Sequence, residues 1–282
     1  MTTQTDQRVM VVTGASSGIG KATAEALAQQ RAHVLLICRS AQKGQQTLTD
    51  IQRKVPSARL SLFIADLSSL QEVRRVAGEL QEQFPVIDVL INNAGLIPGP
   101  LQTTPDGWEL AWATNHLAPF LLTNLLMDSL LASEQGRVIN VTSEAHRLGQ
   151  LDFEHAGKPE KYSAITAYAD SKLANIYFTY ELARRTEFTN LTVNCLHPGA
   201  VATNFGKNSN LFVKSLMLLS RLFMKSPAKG AQTSVYLATS PYVKHVSGKY
   251  FKDCRPVNSS ADSNNAHLAR RLWDISAEQT GF

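Results

Sequence analysis

Cysteine is scarce in this chain. Among 282 residues there are three, Cys38, Cys195 and Cys254. They lie far apart, lack the spacing of a metal-ligating pair, and are odd in number, which argues against a disulfide scaffold. Long apolar runs are missing too. None approaches the ~20 residues that a membrane-spanning helix needs, and the polar residues 1–8 lack the apolar stretch of a secretory leader. Charge is thin, at 18% of residues with a net +5. The basic doublets Arg53-Lys54, Arg74-Arg75, Arg184-Arg185 and Arg270-Arg271 are scattered, with no tract and no interleaved aromatics. They fit solvated helix faces better than a nucleic-acid footprint, so no nucleic-acid partner is expected. No set of His, Cys, Asp and Glu has metal-ligand spacing, so no metal is expected. The expectation is a protein of a reducing, soluble compartment, the cytoplasm.

What is present is an alternation. Short continuous apolar runs at 9–13, 34–38, 60–65, 87–92, 137–142, 191–196 and 248–251 read as strands. Between and after them, helical periodicity covers 19–30, 41–53, 67–83, 106–131, 167–185, 211–224, 227–240 and 266–276. Pro119 falls inside one of these patterns and should kink or loosen that helix. Apolar strands separated by amphipathic helices indicate a parallel sheet covered on both faces. No repeat, low-complexity segment or linker interrupts the pattern. The expected fold is α/β: a single Rossmann-type doubly wound domain over 1–282, with a parallel seven-stranded sheet and helices on both faces.

Thr13-Gly14-Ala15-Ser16-Ser17-Gly18-Ile19-Gly20 follows the first strand and opens the first helix. Glycines allow a sharp turn and close approach to a diphosphate, and a helix N-terminus supplies free N–H groups and positive dipole. The competing reading is an ordinary glycine turn, because Gly14, Gly18 and Gly20 depart from the common G-x-G-x-x-G spacing. At the end of strand two, where an acid would bind a ribose 2′-OH, the chain has Arg39, which suits a 2′-phosphate and favours NADP(H) over NAD(H). A surface arginine unrelated to any cofactor is the alternative. Lys21 either adds positive charge nearby or is simply solvated. Asp66, followed by Leu67, could accept a bond from an adenine amino group or could cap the following helix. Asn93 lies in Asn92-Asn93-Ala94-Gly95, small and polar residues at a strand end, where open α/β sheets bind ligands.

Tyr168 and Lys172 are four residues apart in the 167–185 helix, which puts both side chains on one face. A phenol titrates near pH ~10, and an adjacent ammonium favours the phenolate and lowers that value. The pair therefore reads either as a proton donor with its tuner or as a packed tyrosine beside a solvated lysine.

Taken together, the glycine turn, Asp66, Asn-Asn-Ala-Gly, Asn115, Ser143, Tyr-x-x-x-Lys and Pro198-Gly199 closely resemble the short-chain dehydrogenase/reductase family over nearly the whole chain. Within it, Cys38-Arg39-Ser40, Ser143-Glu144-Ala145-His146, Leu151-Asp152-Phe153, Ser171 to Asn175, His197-Pro198-Gly199 and Arg271-Leu272-Trp273 look like the retinol dehydrogenase branch and its soluble relatives. The resemblance implies Tyr168 as general acid/base and Lys172 as its tuner and a ribose ligand. It implies Ser143 as the holder of the substrate oxygen and Asn115 as the holder of a water linking Lys172 to solvent. Gly14, Ser16, Ser17, Gly18, Ile19, Gly20, Arg39, Asp66, Leu67 and Asn93 would bind the cofactor. Val201 and Thr203 match the segment that contacts the carboxamide and diphosphate.

The implied activity is hydride exchange between NADP(H) and a carbonyl or alcohol, with a hydrophobic aldehyde, ketone or retinoid-like compound as substrate. A relative that reduces C=C bonds and a non-catalytic NADP(H)-sensing protein are the alternatives. His146 reads as structural or as a substrate contact, and His116 and His197 as packing groups. Tyr162 has no lysine four residues on, and Ser143 lies outside any G-x-S-x-G elbow, which speaks against a hydrolase. Residues 204–226 fall where the family places a substrate lid. The apolar stripe at 211–224 would line the pocket, pack on its own domain or touch a membrane peripherally. Membrane-bound relatives usually carry an N-terminal anchor, not seen here. By the same resemblance, helices 106–131 and 167–185 would pair with a second subunit, giving a homodimer or homotetramer.

Overall fold

The structure is a computed structural model and describes residues 8–199 and 225–282. Its centre is a sheet in the order β3-β2-β1-β4-β5-β6-β7-β8. The first seven strands are parallel to one another: β1 (Val9–Thr13), β2 (His33–Cys38), β3 (Arg59–Ile64), β4 (Val89–Asn92), β5 (Arg137–Val141), β6 (Thr192–Leu196) and β7 (Lys249–Lys252). Both faces of β1 are buried. Val11 packs into one core cluster while Met10 and Val12 pack into the other, which is why the strand reads as an unbroken apolar run rather than an alternation.

One face is covered by α1 (Gly18–Gln29), α2 (Ala41–Lys54) and α8 (Pro227–Thr239). The other carries α3 (Leu70–Gln83), α5 (Ala118–Leu125), α7 (Ala164–Arg185) and α9 (Ala266–Thr280). The seven parallel strands and two helical layers are those expected, with one addition. An eighth strand, β8 (Arg255–Val257), runs antiparallel to β7. The turn joining them has Asp253 at φ 49° and Cys254 at φ 61°, the two left-handed residues of a tight hairpin connection. All three β8 residues are exposed, and Pro256 is tolerable because this is a sheet edge. A three-residue exposed strand has no apolar signal to read.

The helix expected over 106–131 is broken. It opens at α4 (Leu110–Trp112), where the buried Glu109 side chain takes the Trp112 N–H at 2.7 Å. It widens into a π turn over Ala113–Leu117, resumes as α5 and ends as α6 (Met127–Leu131). The π turn lies immediately before Ala118-Pro119, so the loosening expected of the proline is found, just upstream of it. Pro119 has no N–H, and the carbonyl of Asn115 is thereby denied its i+4 donor.

α7 starts earlier than its apolar pattern suggests, because the Ser163 side chain accepts the Thr166 N–H and caps it. A buried polar ladder holds this helix against the sheet. Asn92 Nδ2 donates to Asn140 Oδ1 at 2.8 Å and to Thr123 Oγ1 at 3.0 Å. Asn140 Nδ2 donates to Thr179 Oγ1 at 2.9 Å, and Thr179 Oγ1 donates to the Asn175 carbonyl at 2.7 Å. The ladder ties β4 and β5 to α5 and α7 in an interior where an unmatched partner is costly. Replacing Asn140 with Ala should lower stability by about 1–3 kcal/mol, read as a lower urea midpoint with an unchanged slope.

Candidate active site

The chain's polar and small residues converge at the carboxyl ends of the parallel strands. At the end of β1, Thr13 Oγ1 accepts the N–H groups of Asn93 (2.9 Å) and Ala94 (2.8 Å), and Asn93 Nδ2 donates to the Thr13 carbonyl at 2.8 Å. The glycine turn sits on this clamp. Gly14 and Gly18 have φ of 66° and 55°, conformations open to glycine. A methyl on Gly20 would lie 2.4 Å from both Asn93 Nδ2 and the Gly14 carbonyl oxygen, so that position excludes every other residue. Ser17 is exposed at the N-cap of α1, its hydroxyl takes no helix amide, and the first turn carries no acid. The turn therefore fits an anionic group at the α1 N-terminus.

Arg39 is exposed just beyond β2 and enters no ion pair among the described residues. Lys21 is already engaged, at 2.5 Å from Asp50. Ser69, not Asp66, caps α3. Asp66 Oδ1 instead accepts Ser68 N–H (3.0 Å) and Ser68 Oγ (2.8 Å), which fixes the carboxylate at the strand end. Leu67 beside it is buried. Cys38, under the glycine turn, is buried and its thiol is pushed up to about 11 by that burial, so it stays protonated.

Asn115, Ser143, Tyr168 and Lys172 come together where β5, α7 and the π turn meet. Asn115 is fully buried. Its Oδ1 accepts Leu96 N–H at 2.8 Å, and its Nδ2 donates to the Leu96 carbonyl and to Ser171 Oγ, both at 3.0 Å. Ser171 Oγ in turn donates to the Tyr168 carbonyl at 2.7 Å. Lys172 Nζ donates to the Val141 carbonyl at 3.1 Å and lies 5.6 Å from the centre of the Tyr168 ring. A methyl on Gly95 would stand 3.2 Å from both Asn115 Oδ1 and Lys172 Nζ. Position 95 must therefore be small for these groups to meet. Thr142 Oγ1 donates to the Lys172 carbonyl at 2.8 Å, gripping α7 from the end of β5. Next along, Ser143 Oγ accepts Ala145 N–H at 3.2 Å, and its hydroxyl acts on the Tyr168 phenol so as to favour the ionised form.

The electrostatics differ from the sequence expectation. Burial pushes the Tyr168 phenol up to about 12, opposed by the Ser143 hydroxyl, and no ammonium effect outweighs it. Burial also brings Lys172 down to about 8. Removing water from the phenolate dominates over a cation that faces the ring. At neutral pH the site holds an undissociated phenol beside a largely protonated lysine.

The remaining candidates separate cleanly. Tyr162 donates to the Gly99 carbonyl at 3.0 Å and braces the 96–102 loop. His116 is fully buried against Ser276 Oγ at 2.8 Å and held neutral near 3, a packing group. His146 is buried and hydrogen-bonded on both sides, and His197 Nδ1 accepts Gly199 N–H at 3.0 Å. Val201, Thr203 and residues 204–224 of the expected lid lie outside the described residues. Sequence reasoning gave no role of their own to Thr13 and Ser171; the adjacency of Ser171 to Lys172 and of Thr13 to the glycine turn was the available signal. An open groove of about 730 Å³ lies elsewhere, at the opposite ends of β6 and β7, lined by Arg184, Thr189, Thr192, Lys244 and Lys249. It touches none of these residues.

Sheet order and glycine turn are those of the dinucleotide-binding α/β class. Residues 8–213 match the family model described as short chain dehydrogenase. The chain belongs to that family, whose cofactors are nicotinamide dinucleotides. It is 41% identical over 291 residues to human retinol dehydrogenase 14, covering 98% of this chain and 87% of that protein. To human retinol dehydrogenase 11 it is 40% identical over 281 residues, covering 100% and 88%. Among solved structures, an uncharacterised protein from Mycobacterium paratuberculosis superposes with a TM-score of 0.79 at 32% identity, covering 99% of this chain and 94% of that one. A short-chain dehydrogenase from Escherichia coli complexed with NADPH superposes with a TM-score of 0.72 at 25% identity, covering 90% and 100%. Among the described residues, no helix is long and apolar enough to cross a membrane.

The lowered value of Lys172 has a measurable consequence. Between pH ~8 and its ordinary value the unfolded chain binds more protons at this lysine, so the burial penalty is relieved as pH rises. Lys172→Met removes that titration. Its urea midpoint relative to the parent should therefore be most favourable below pH 8 and decline steadily through pH 9.5; a pH-independent difference would contradict the assignment.

Proposed function

We propose that this protein is an NADP(H)-dependent oxidoreductase acting on a hydrophobic carbonyl or alcohol, with Tyr168 as general acid/base. The observation that carries the reading is the buried Lys172 ammonium facing the Tyr168 ring, with the Ser143 hydroxyl acting on the same phenol. NADPH, when bound, supplies the hydride that a carbonyl carbon accepts. The residues do the rest. The carbonyl oxygen is held by the Ser143 hydroxyl and the Tyr168 phenol, and Tyr168 gives it a proton as charge develops there. An undissociated phenol is the form needed for that donation, and burial keeps Tyr168 in it. The Lys172 ammonium stabilises the phenolate left behind. Pro119 leaves the Asn115 carbonyl with capacity for a water through which the proton is restored from solvent. Oxidation of the alcohol runs the same steps backwards.

Gly14, Ser16, Ser17, Gly18, Ile19 and Gly20 would hold the cofactor's diphosphate, Asp66 and Leu67 its adenine, and Asn93 the turn beneath it. Arg39 would pair with the 2′-phosphate. Support for NADP(H) comes from Arg39, exposed and in no ion pair among the described residues, where an acid would repel phosphate, and from the NADPH complex of the Escherichia coli protein. The names of the retinol dehydrogenase relatives support an apolar alcohol or aldehyde as the substrate class.

Purified protein with NADPH and a panel of aldehydes, ketones, quinones and retinoids tests the reading, with absorbance loss followed and products identified. Tyr168→Phe should abolish turnover while NADPH still binds; undiminished turnover would overturn the acid/base assignment. Arg39→Asp should weaken NADPH binding by about 10–100-fold, the range of a lost charge-assisted bond, and leave NADH binding nearly unchanged. Equal affinity of the parent for NADPH and NADH would count against the cofactor assignment.

A further inference from the structure

Ser143 must present its hydroxyl to the same point as Tyr168, yet the two sit on different elements. Something must fix the distance between them. The turn Glu144–Leu148 that follows Ser143 contains His146, whose side chain is 0% exposed. Its Nδ1 lies 2.8 Å from the Ser143 carbonyl oxygen, and its Nε2 lies 3.1 Å from Ser260 N. A carbonyl only accepts and an amide N–H only donates. The ring must therefore be neutral, with its proton on Nδ1 and a bare Nε2. The edge of Tyr250 packs on it at 5.1 Å between ring centres, so the ring has one orientation.

The far end of this tie leads back to the helix that carries Tyr168. Ser260 belongs to a stretch pinned to α7 twice. Tyr180 Oη is 2.8 Å from Ser259 Oγ, and Tyr177 Oη donates to the Asp262 carbonyl at 3.0 Å. Ser263 Oγ locks the stretch internally, 2.7 Å from Ser259 Oγ and 2.6 Å from the Ser260 carbonyl oxygen. The connections form a circuit from Ser143 through His146 and Ser260 to the tyrosines of α7, the helix that also carries Tyr168.

We infer that His146 is a positioning residue for Ser143, fixing its backbone through the Nδ1–H bond to the Ser143 carbonyl and anchoring it on the 259–263 stretch that α7 holds. This rests on the reading of Ser143 as the holder of the substrate oxygen. His146 touches no reacting atom in this role; it sets where the hydroxyl stands. A buried histidine that merely filled space would need no specific tautomer and no bond to the backbone of the residue in question.

Two variants separate the halves of the ring. His146→Asn keeps a donor where Nδ1 stands and loses the bond to Ser260. His146→Gln keeps an acceptor where Nε2 stands and loses the bond to Ser143. Both should lower the urea midpoint similarly. His146→Asn should hold kcat within about threefold of the parent, whereas His146→Gln should lose about 10–100-fold in kcat, the scale of a misplacement near 1 Å. KM and the NADPH Kd, measured by fluorescence titration, should stay within about twofold of the parent in both, since those contacts are not moved. Equal kcat losses in the two variants, or a parental kcat in His146→Gln, would overturn the positioning role while leaving the wider reading intact. A parent without turnover on the whole panel would overturn both. Should the His146 variants not fold, the double variant Tyr177→Phe/Tyr180→Phe removes both ties of the 259–263 stretch to α7; it should lower kcat several-fold at unchanged NADPH Kd, and a parental kcat would overturn the inference.

Discussion

A positive charge is buried at the centre of this protein. Lys172 is 3% exposed, enters no ion pair among the described residues, and its ammonium donates to a backbone carbonyl at 3.1 Å. Taking an ammonium out of water without a carboxylate is unfavourable by several kcal/mol in proteins, and on α7 only the face of the Tyr168 ring, 5.6 Å away, attracts it. The rest of the offset comes from tertiary structure. The Val141 carbonyl, the nearby Asn115 amide and the bare backbone at Gly95 surround the charge with oriented dipoles. These groups belong to three separate segments, and each is held by its own bonds. On the proposed mechanism, the arrangement is a site kept ready for a phenolate, a species absent from the resting protein.

The sheet does the bringing together. Parallel strands deliver all their carboxyl ends to one rim, so the glycine turn, Arg39, Asp66, Asn93 and Ser143 arrive there by topology alone. Hydrogen bonds then set distances that topology leaves loose. Thr13 joins the ends of β1 and β4, Thr142 joins β5 to α7, and the Asn92–Asn140–Thr179 ladder fixes the height of α7 on the sheet. Each is a short side chain bonded to a neighbouring strand or helix, a rigid link with few rotamers to freeze.

What the sequence revealed follows the same division between local and distant. The seven parallel strands, the glycine turn and the Tyr168–Lys172 spacing are properties of contiguous residues, and they were legible. β8 was invisible because three exposed residues carry no pattern. Pro119 announced a disturbed helix, but its form as a π turn at Ala113–Leu117 depends on packing around Asn115. Asp66 had two open readings until Ser69 proved to be the cap of α3. Lys21 had two until Asp50, on another helix, engaged it. The direction of the Tyr168 shift was misjudged because burial cannot be read from an i,i+4 spacing. The partners of His146 lie at Ser143 and Ser260, the latter 114 residues on, a separation no local pattern encodes.

The hairpin between β7 and β8 and the stretch after it come late in the chain, yet the circuit through Ser260 makes them part of the geometry of Ser143. A nascent chain that has just finished β6 already owns every residue of the proposed catalytic set and still lacks the support behind its serine. Non-local parallel sheets of this kind assemble slowly, because widely separated segments must meet before any of them is rewarded. On the proposed role of His146, catalytic competence would be a late event of biogenesis. It marks the arrival of the C-terminal segment, and it separates a merely compact chain from a finished one.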